Sequence, residues 1–261
     1  MIPVATIGTN AVPIRLETFV YRPTGHGPFP VMILSHGSPA GDPKVSLPAH
    51  TLATYFVRQG FAVMVPMRRG RGQSTGYSRE YEERHCDQAA WAPGLRDAMD
   101  DLSAAVEYAG SRREMDTTHI VLAGVSRGGF LSVAYAAEGR HRSSIAGVIN
   151  FVGAWIAQRE DRCPEDFNSL SFAKFGGETH VPTLWLYGES DPFNTSSAIR
   201  SYVARFRSAG GNVEFVLFPR VPGNGHAVAN TPALWADTVE RFLRQRWAGR
   251  LSPSRMPSNE R

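Results

Sequence analysis

The chain has 261 residues, 42% of them hydrophobic and 20% charged, with a formal net charge of +4. That composition is the ordinary globular one and allows one large α/β domain or two small ones. It excludes a membrane span, since no stretch approaches roughly 18 uninterrupted apolar residues. The opening "MIPVATIGTN" lacks the basic and apolar regions of a secretory signal.

In chain order, "RLETFVY" (15–21) alternates as a half-buried strand. The runs 30–36, 61–66, 119–125, 145–152, 182–188 and 213–219 are nearly continuous apolar segments, as expected of strands buried on both faces. Helical patterns lie between them. Residues 47–60 end on Gly60, residues 93–110 open with Pro93 and close with Gly110, and apolar stripes mark 127–138, 197–209 and 233–247. Strand and helix in alternation predict an α/β fold, a mostly parallel central sheet covered by helices on both faces.

Two excursions, 71–92 and 153–180, are too long for plain connections and are expected to form a small lid of two long loops. A single domain over 1–248 is expected, followed by a polar, proline-bearing, disordered tail over 249–261. The basic cluster "MRRGRGQ" (67–73) lacks the interleaved aromatics of a nucleic-acid surface, so neither nucleic acid nor membrane is an expected partner. Arg69 and Arg71 are read as a solvated loop face, with an anionic group as the other possibility.

Chemistry concentrates at "GVSRG" (124–128), a G-x-S-x-G between an apparent buried strand and an apparent helix. That is the context of a nucleophile elbow, in which a strained turn presents the serine hydroxyl at the sheet edge and needs small residues two places either side. Ser126 then requires a base and an orienting acid, following it in the order acid, histidine. Asp191, just beyond the run 182–188, is the candidate acid, with Glu189 the nearby alternative. His226 in "PGNGHAVAN" is the only histidine downstream of Asp191 and is the candidate base.

A fourth element is "ILSHGSPAG" (33–41), a strand end and turn able to aim a backbone N–H at a developing oxyanion. Ser38 is assigned that donor, with Gly37 as alternative, and Arg127, following the nucleophile, supplies the second. His36 is read as a structural tie for the loop.

The segments "SHGSPAG", "VPMRRGRGQSTG", "GVSRGG", "YGESD" and "NGH", in that order, resemble the α/β-hydrolase superfamily, in its dienelactone-hydrolase-like and prolyl-oligopeptidase-like serine esterase branch. The resemblance covers residues 15–247. It implies hydrolysis of small carboxylic esters by a Ser126, Asp191, His226 triad through an acyl-enzyme; no cofactor is expected, and with no H-E-x-x-H or C-x-x-C spacing no metal is expected either. Dienelactone hydrolases proper carry cysteine at the elbow, so the serine here favours ordinary esters. The alternatives are a prolyl-oligopeptidase-like peptidase, a lactone hydrolase, or a non-catalytic binding protein on the same fold. The feature missing for the peptidase is the upstream propeller domain expected of that type, with about 14 residues ahead of the first strand here.

Within this frame both excursions converge over the site, and Cys86 and Cys163, one in each, form the candidate disulfide. The resemblance to exported bacterial members carrying such a pair implies a periplasmic or secreted protein; two reduced thiols would instead fit the cytoplasm. Tyr77, Tyr81, Trp91, Phe151, Trp155, Phe167, Phe172 and Phe175 are expected to be mostly packing, with the remainder lining an acyl pocket.

Overall fold

The computed structural model describes residues 1–4, 13–81, 88–156 and 167–247. Cys86, Cys163 and the tail 249–261 lie outside the described residues. A small two-stranded sheet pairs β1 (Ile2–Val4) with β2 (Ile14–Leu16) antiparallel. The main sheet contains β3 (Thr18–Tyr21), β4 (Phe29–Ser35), β5 (Ala62–Pro66), β6 (Met115–Val125), β7 (Ile145–Phe151), β8 (Thr183–Gly188) and β9 (Val213–Phe218). Its order is β3-β5-β4-β6-β7-β8-β9, parallel throughout except for β3, which runs antiparallel to β5.

Near-continuous apolar runs become strands because a sheet covered on both faces gives every side chain a dry neighbour. Val31 to Leu34, Val63 to Val65 and Ile120 to Ala123 are essentially inaccessible. The run 213–219 differs: β9 is an edge strand, and all its residues are only partly buried. The run 15–21 does not form one strand. It breaks at Glu17, whose carboxylate accepts from Ser46 Oγ (2.7 Å) and the Gln73 N–H (3.0 Å), so β2 and β3 enter different sheets.

Two helix layers cover the sheet. In one, α1 (His50–Arg58) meets α6 (Pro232–Trp247): Tyr55 donates to the Ala236 carbonyl (3.1 Å), and Phe56 stacks on Trp235. The other contains α2 (Gln88–Gly110), α3 (Arg127–Glu138), α4 (Phe167–Glu178) and α5 (Ser196–Ser208). In α5, Ala198, Ile199, Tyr202, Val203 and Phe206 are buried, the spacing of one helical face. Thr195 caps its start, its Oγ1 accepting from the Ala198 N–H (3.2 Å).

Two expectations about the long excursions are corrected. The helix expected to open at Pro93 already begins at Gln88, with Pro93 inside it. The excursion 153–180 is not a loop throughout, because residues 167–178 form α4. Phe172 and Phe175 of α4 are buried against Phe130 of α3, and Phe172 also packs on Trp185 of β8. A fully buried aromatic contributes about 1.5–3 kcal/mol over an exposed one, so this pattern holds α4 in the core layer. Trp91, Phe151 and Trp155 are likewise buried, while Tyr77 is 65% exposed.

Candidate active site

The carboxyl ends of the parallel strands gather the residues singled out above. Ser126 follows β6 and leads into α3 with φ 56° and ψ −126°, a conformation that L-residues rarely adopt. Its N–H donates to the Phe151 carbonyl at the end of β7 (2.9 Å), and its carbonyl accepts from the Gly129 and Phe130 N–H groups. The neighbouring glycines are required by close approach of backbone. A Cβ on Gly124 would collide with the Gly128 carbonyl, and one on Gly128 with the carbonyls of Ser35 and His36. The motif therefore fits because strand, turn and helix pass within contact of one another without side chains between them.

Asp191 and His226 meet across two loops that touch backbone to backbone. The Gly225 N–H donates to the Ser190 carbonyl (3.2 Å), and a Cβ on Gly188 would sit 2.6 Å from the Gly225 carbonyl oxygen. His226 Nδ1 and Asp191 Oδ2 are 2.8 Å apart. The other carboxylate oxygen accepts from the Phe193 N–H (2.8 Å) and the Asn194 N–H (3.3 Å), so the buried acid is held on both sides. A carboxylate accepts only, so in this bond His226 Nδ1 donates and Nε2 is the ring nitrogen that does not face Asp191. Phe193 stands edge-on to the imidazole, 4.7 Å between ring centroids. Glu189, the alternative acid, turns away toward Arg200 on α5 (3.9 Å).

On the other side of Ser126 runs the turn after β4. A Cβ on Gly37 would lie 3.3 Å from the Ser126 Cβ, which places this turn against the serine. His36 ties it as expected. Its Nε2 accepts from the Arg68 N–H (3.0 Å), and its Nδ1 donates to the Gly37 carbonyl (2.6 Å). Burial, reinforced by the Arg68 charge, pushes the imidazole down to about 3, so it is neutral. Arg127 is the first residue of α3. Its guanidinium donates to the carbonyls of Glu80 (2.6 Å) and Trp155 (2.8 Å) and lies over the Trp155 ring.

Two residues beneath this turn pair in a way that the sequence does not signal. Arg68 and Glu80 form a buried ion pair, with side chains 4% and 5% exposed. Arg68 also donates to Ser38 Oγ (3.0 Å) and the His36 carbonyl (2.7 Å), while Ser38 Oγ donates to Glu80 Oε2 (2.9 Å). Burial alone would raise the Glu80 carboxyl, but the Arg68 charge overrides it and holds the group down at about 2. The reading of Arg69 and Arg71 as a solvated face is corrected. Arg69 binds Asp101 (2.7 Å) and Asp97 (3.0 Å) on α2, and Arg71, 3% exposed, donates to the Asp42 carbonyl (3.0 Å). Guanidinium groups at such depth persist because carboxylates and carbonyls take up their N–H groups.

A second polar chain runs under α4. Asn168 Oδ1 accepts from the Trp155 N–H (2.9 Å), Asn168 Nδ2 donates to the Tyr202 hydroxyl (3.1 Å), and that hydroxyl donates to Asn194 Oδ1 (3.0 Å). It connects the residue that holds Arg127 to the turn that holds Asp191. Among the described residues no cluster of three His, Cys, Asp or Glu side chains is placed to hold a metal, and no helix is long and apolar enough to cross a membrane.

Comparison with known proteins sets these features in a lineage. Over 132 residues the chain is 27% identical to the quorum-quenching protein AidA of Acinetobacter baumannii, a match covering 51% of this chain and 39% of that protein. The ferulic-acid-bound Est1E of Butyrivibrio proteoclasticus superposes with a TM-score of 0.64 at 18% identity, covering 95% of this chain and 100% of its own. Thermogutta terrifontis esterase 2, phosphonylated by cyclosarin, superposes at 0.62 and 20% identity, covering 97% and 96%. At such identities these structures share the fold, that of α/β-hydrolases. The profile of the dienelactone hydrolase family matches residues 16–247, and the chain belongs to that family.

Proposed function

We propose that this hydrolase is a serine esterase that cleaves small carboxylic esters with Ser126 as nucleophile, His226 as base and Asp191 as orienting acid. The observation that carries the reading is the Asp191–His226 hydrogen bond on the same sheet edge as a serine held at positive φ. His226 Nε2 takes the Ser126 proton as Oγ attacks the ester carbonyl, and Asp191 stabilises the imidazolium that forms. The resulting oxyanion is received by the N–H groups of Arg127 and of Ser38, with Gly37 as the alternative to Ser38. His226 returns the proton to the departing alcohol as the carbon–oxygen bond breaks. Water, activated by the same imidazole, then hydrolyses the acyl-enzyme and frees Ser126.

A serine at the elbow of a dienelactone hydrolase family member also bears on substrate. An alkoxide generated by His226 acts on unactivated esters as well as lactones, so acyclic esters are the expected class. Hydrolysis of p-nitrophenyl acetate by the wild type, falling at least about 10⁴-fold in kcat with Ser126→Ala, is the expected result. Equal activity of the two proteins, or no turnover by a folded wild type of any ester from acetate to long acyl chains, overturns the reading.

A further inference from the structure

Ser38 and Arg127, the residues assigned the two oxyanion amides, come from distant parts of the chain, yet one residue touches both. Glu80 accepts from Ser38 Oγ through its carboxylate (2.9 Å) and from Arg127 Nη1 through its backbone carbonyl (2.6 Å). Its carboxylate is fixed in turn by Arg68 Nε and Nη2. Arg68 grips the same turn twice more, at the His36 carbonyl and at His36 Nε2. Glu80 sits in a single 3-10 turn, Arg79–Tyr81, and the next residue back, Arg79, is tied to Asp97 on α2 (2.6 Å). The segment is thus anchored outward to a long helix and inward to the turn beside Ser126.

A buried ion pair contributes little to stability that well-packed apolar side chains would not also supply. Its distinguishing property is geometric, because a bidentate guanidinium and carboxylate fix direction as well as distance. An oxyanion donor needs that precision, since its worth depends on reaching the charged oxygen of the transition state at hydrogen-bond distance. We propose that Glu80 is a positioning residue that sets the separation of the two oxyanion amides, acting on Ser38 through its hydroxyl and on Arg127 through its guanidinium. The proposal rests on the serine-esterase reading above.

The decisive variant is Ser38→Ala, which keeps the backbone amide and removes the hydroxyl that bonds Glu80 and Arg68. With p-nitrophenyl acetate, kcat is expected to fall about tenfold while KM stays within about twofold. Ser38→Thr, which restores a hydroxyl, returns most of that loss. Glu80→Gln lowers kcat by at least as much, because it also weakens the pair with Arg68, and combining it with Ser38→Ala costs less than the sum of the two losses. Arg112→Ala, which opens an exposed pair with Glu114, serves as the unaffected control. A wild-type kcat in Ser38→Ala, an equal loss in Ser38→Thr, or additive losses in the double variant overturns the proposal while leaving the esterase reading intact. If Glu80→Gln does not fold, the two Ser38 variants decide alone. A wild type without esterase activity removes the reading itself, and the proposal with it.

Discussion

The two sides of Ser126 are built by different physics. Toward α3 and His226 the chain is arranged by backbone in contact with backbone: Gly124 against Gly128, Gly128 against the end of β4 at Ser35, Gly188 against Gly225. Toward the turn at residues 36–38 it is arranged by buried charge, with Arg68 and Glu80 at the centre and Arg69, Asp97 and Asp101 behind them. The first kind of order tolerates no added atom. The second tolerates atoms but not the loss of a partner. Substitutions should therefore fail differently on the two sides.

The largest expected effect is Gly128→Ala. Its Cβ would overlap two backbone carbonyls that have no freedom to withdraw, so the elbow cannot close, and a loss of more than about 4 kcal/mol is expected in chemical denaturation. Glu80→Ala, which adds no bulk, is expected to cost about 3–5 kcal/mol by stranding the buried Arg68 guanidinium. If Gly128→Ala proves the milder of the two, the contrast between the sides is wrong.

Acid should attack the charged side selectively. The folded pKa of His36 lies near 3, below its ordinary value, so an unfolded chain gains that proton first; its stabilisation is complete above about pH 6.5 and is lost as pH falls toward 3. Glu80, held near 2, adds a second loss that begins near the ordinary carboxylate value of about 4.5 and runs to 2. Unfolding free energy measured from pH 7 to 3 should fall in that order, and His36→Gln should remove the upper part. A His36→Gln variant with the same slope as the wild type between pH 6.5 and 5 would contradict the neutral, buried assignment of His36.

The smallest effect belongs to the outer end of the charge network. Arg79 is 43% exposed, and Arg79→Ala should change stability by less than about 1 kcal/mol despite two short bonds to Asp97. Comparing it with Glu80→Ala separates the buried arm from the solvated one within two adjacent residues.

The same division decides what could be read from the sequence. Backbone contact demands glycine at fixed offsets, so "GVSRGG" announces itself in six letters, and the strands around it appear as apolar runs. Charge pairing leaves no such trace. Nothing in "RR" or "SREYEE" tells that Arg68 meets Glu80, because the pairing depends on how residues 71–78 return to the sheet. The reading of residues 153–180 as a loop failed for a related reason: α4 carries glycines at 176 and 177 and a short apolar face, and it is a helix because Phe172 and Phe175 find Phe130. The break of 15–21 at Glu17 likewise depends on Ser46 and Gln73, which are distant in the chain.

The central claim is that Ser126 is an activated nucleophile served by His226. Treatment with p-nitrophenyl diethyl phosphate tests it most directly: a bond from Ser126 Oγ to phosphorus forms as p-nitrophenolate leaves, and peptide mass spectrometry locates the adduct. One diethylphosphoryl group on Ser126 in the wild type, lost in Ser126→Ala and formed far more slowly in His226→Ala, is the result predicted. An unmodified Ser126, or labelling at the same rate without His226, would contradict the account.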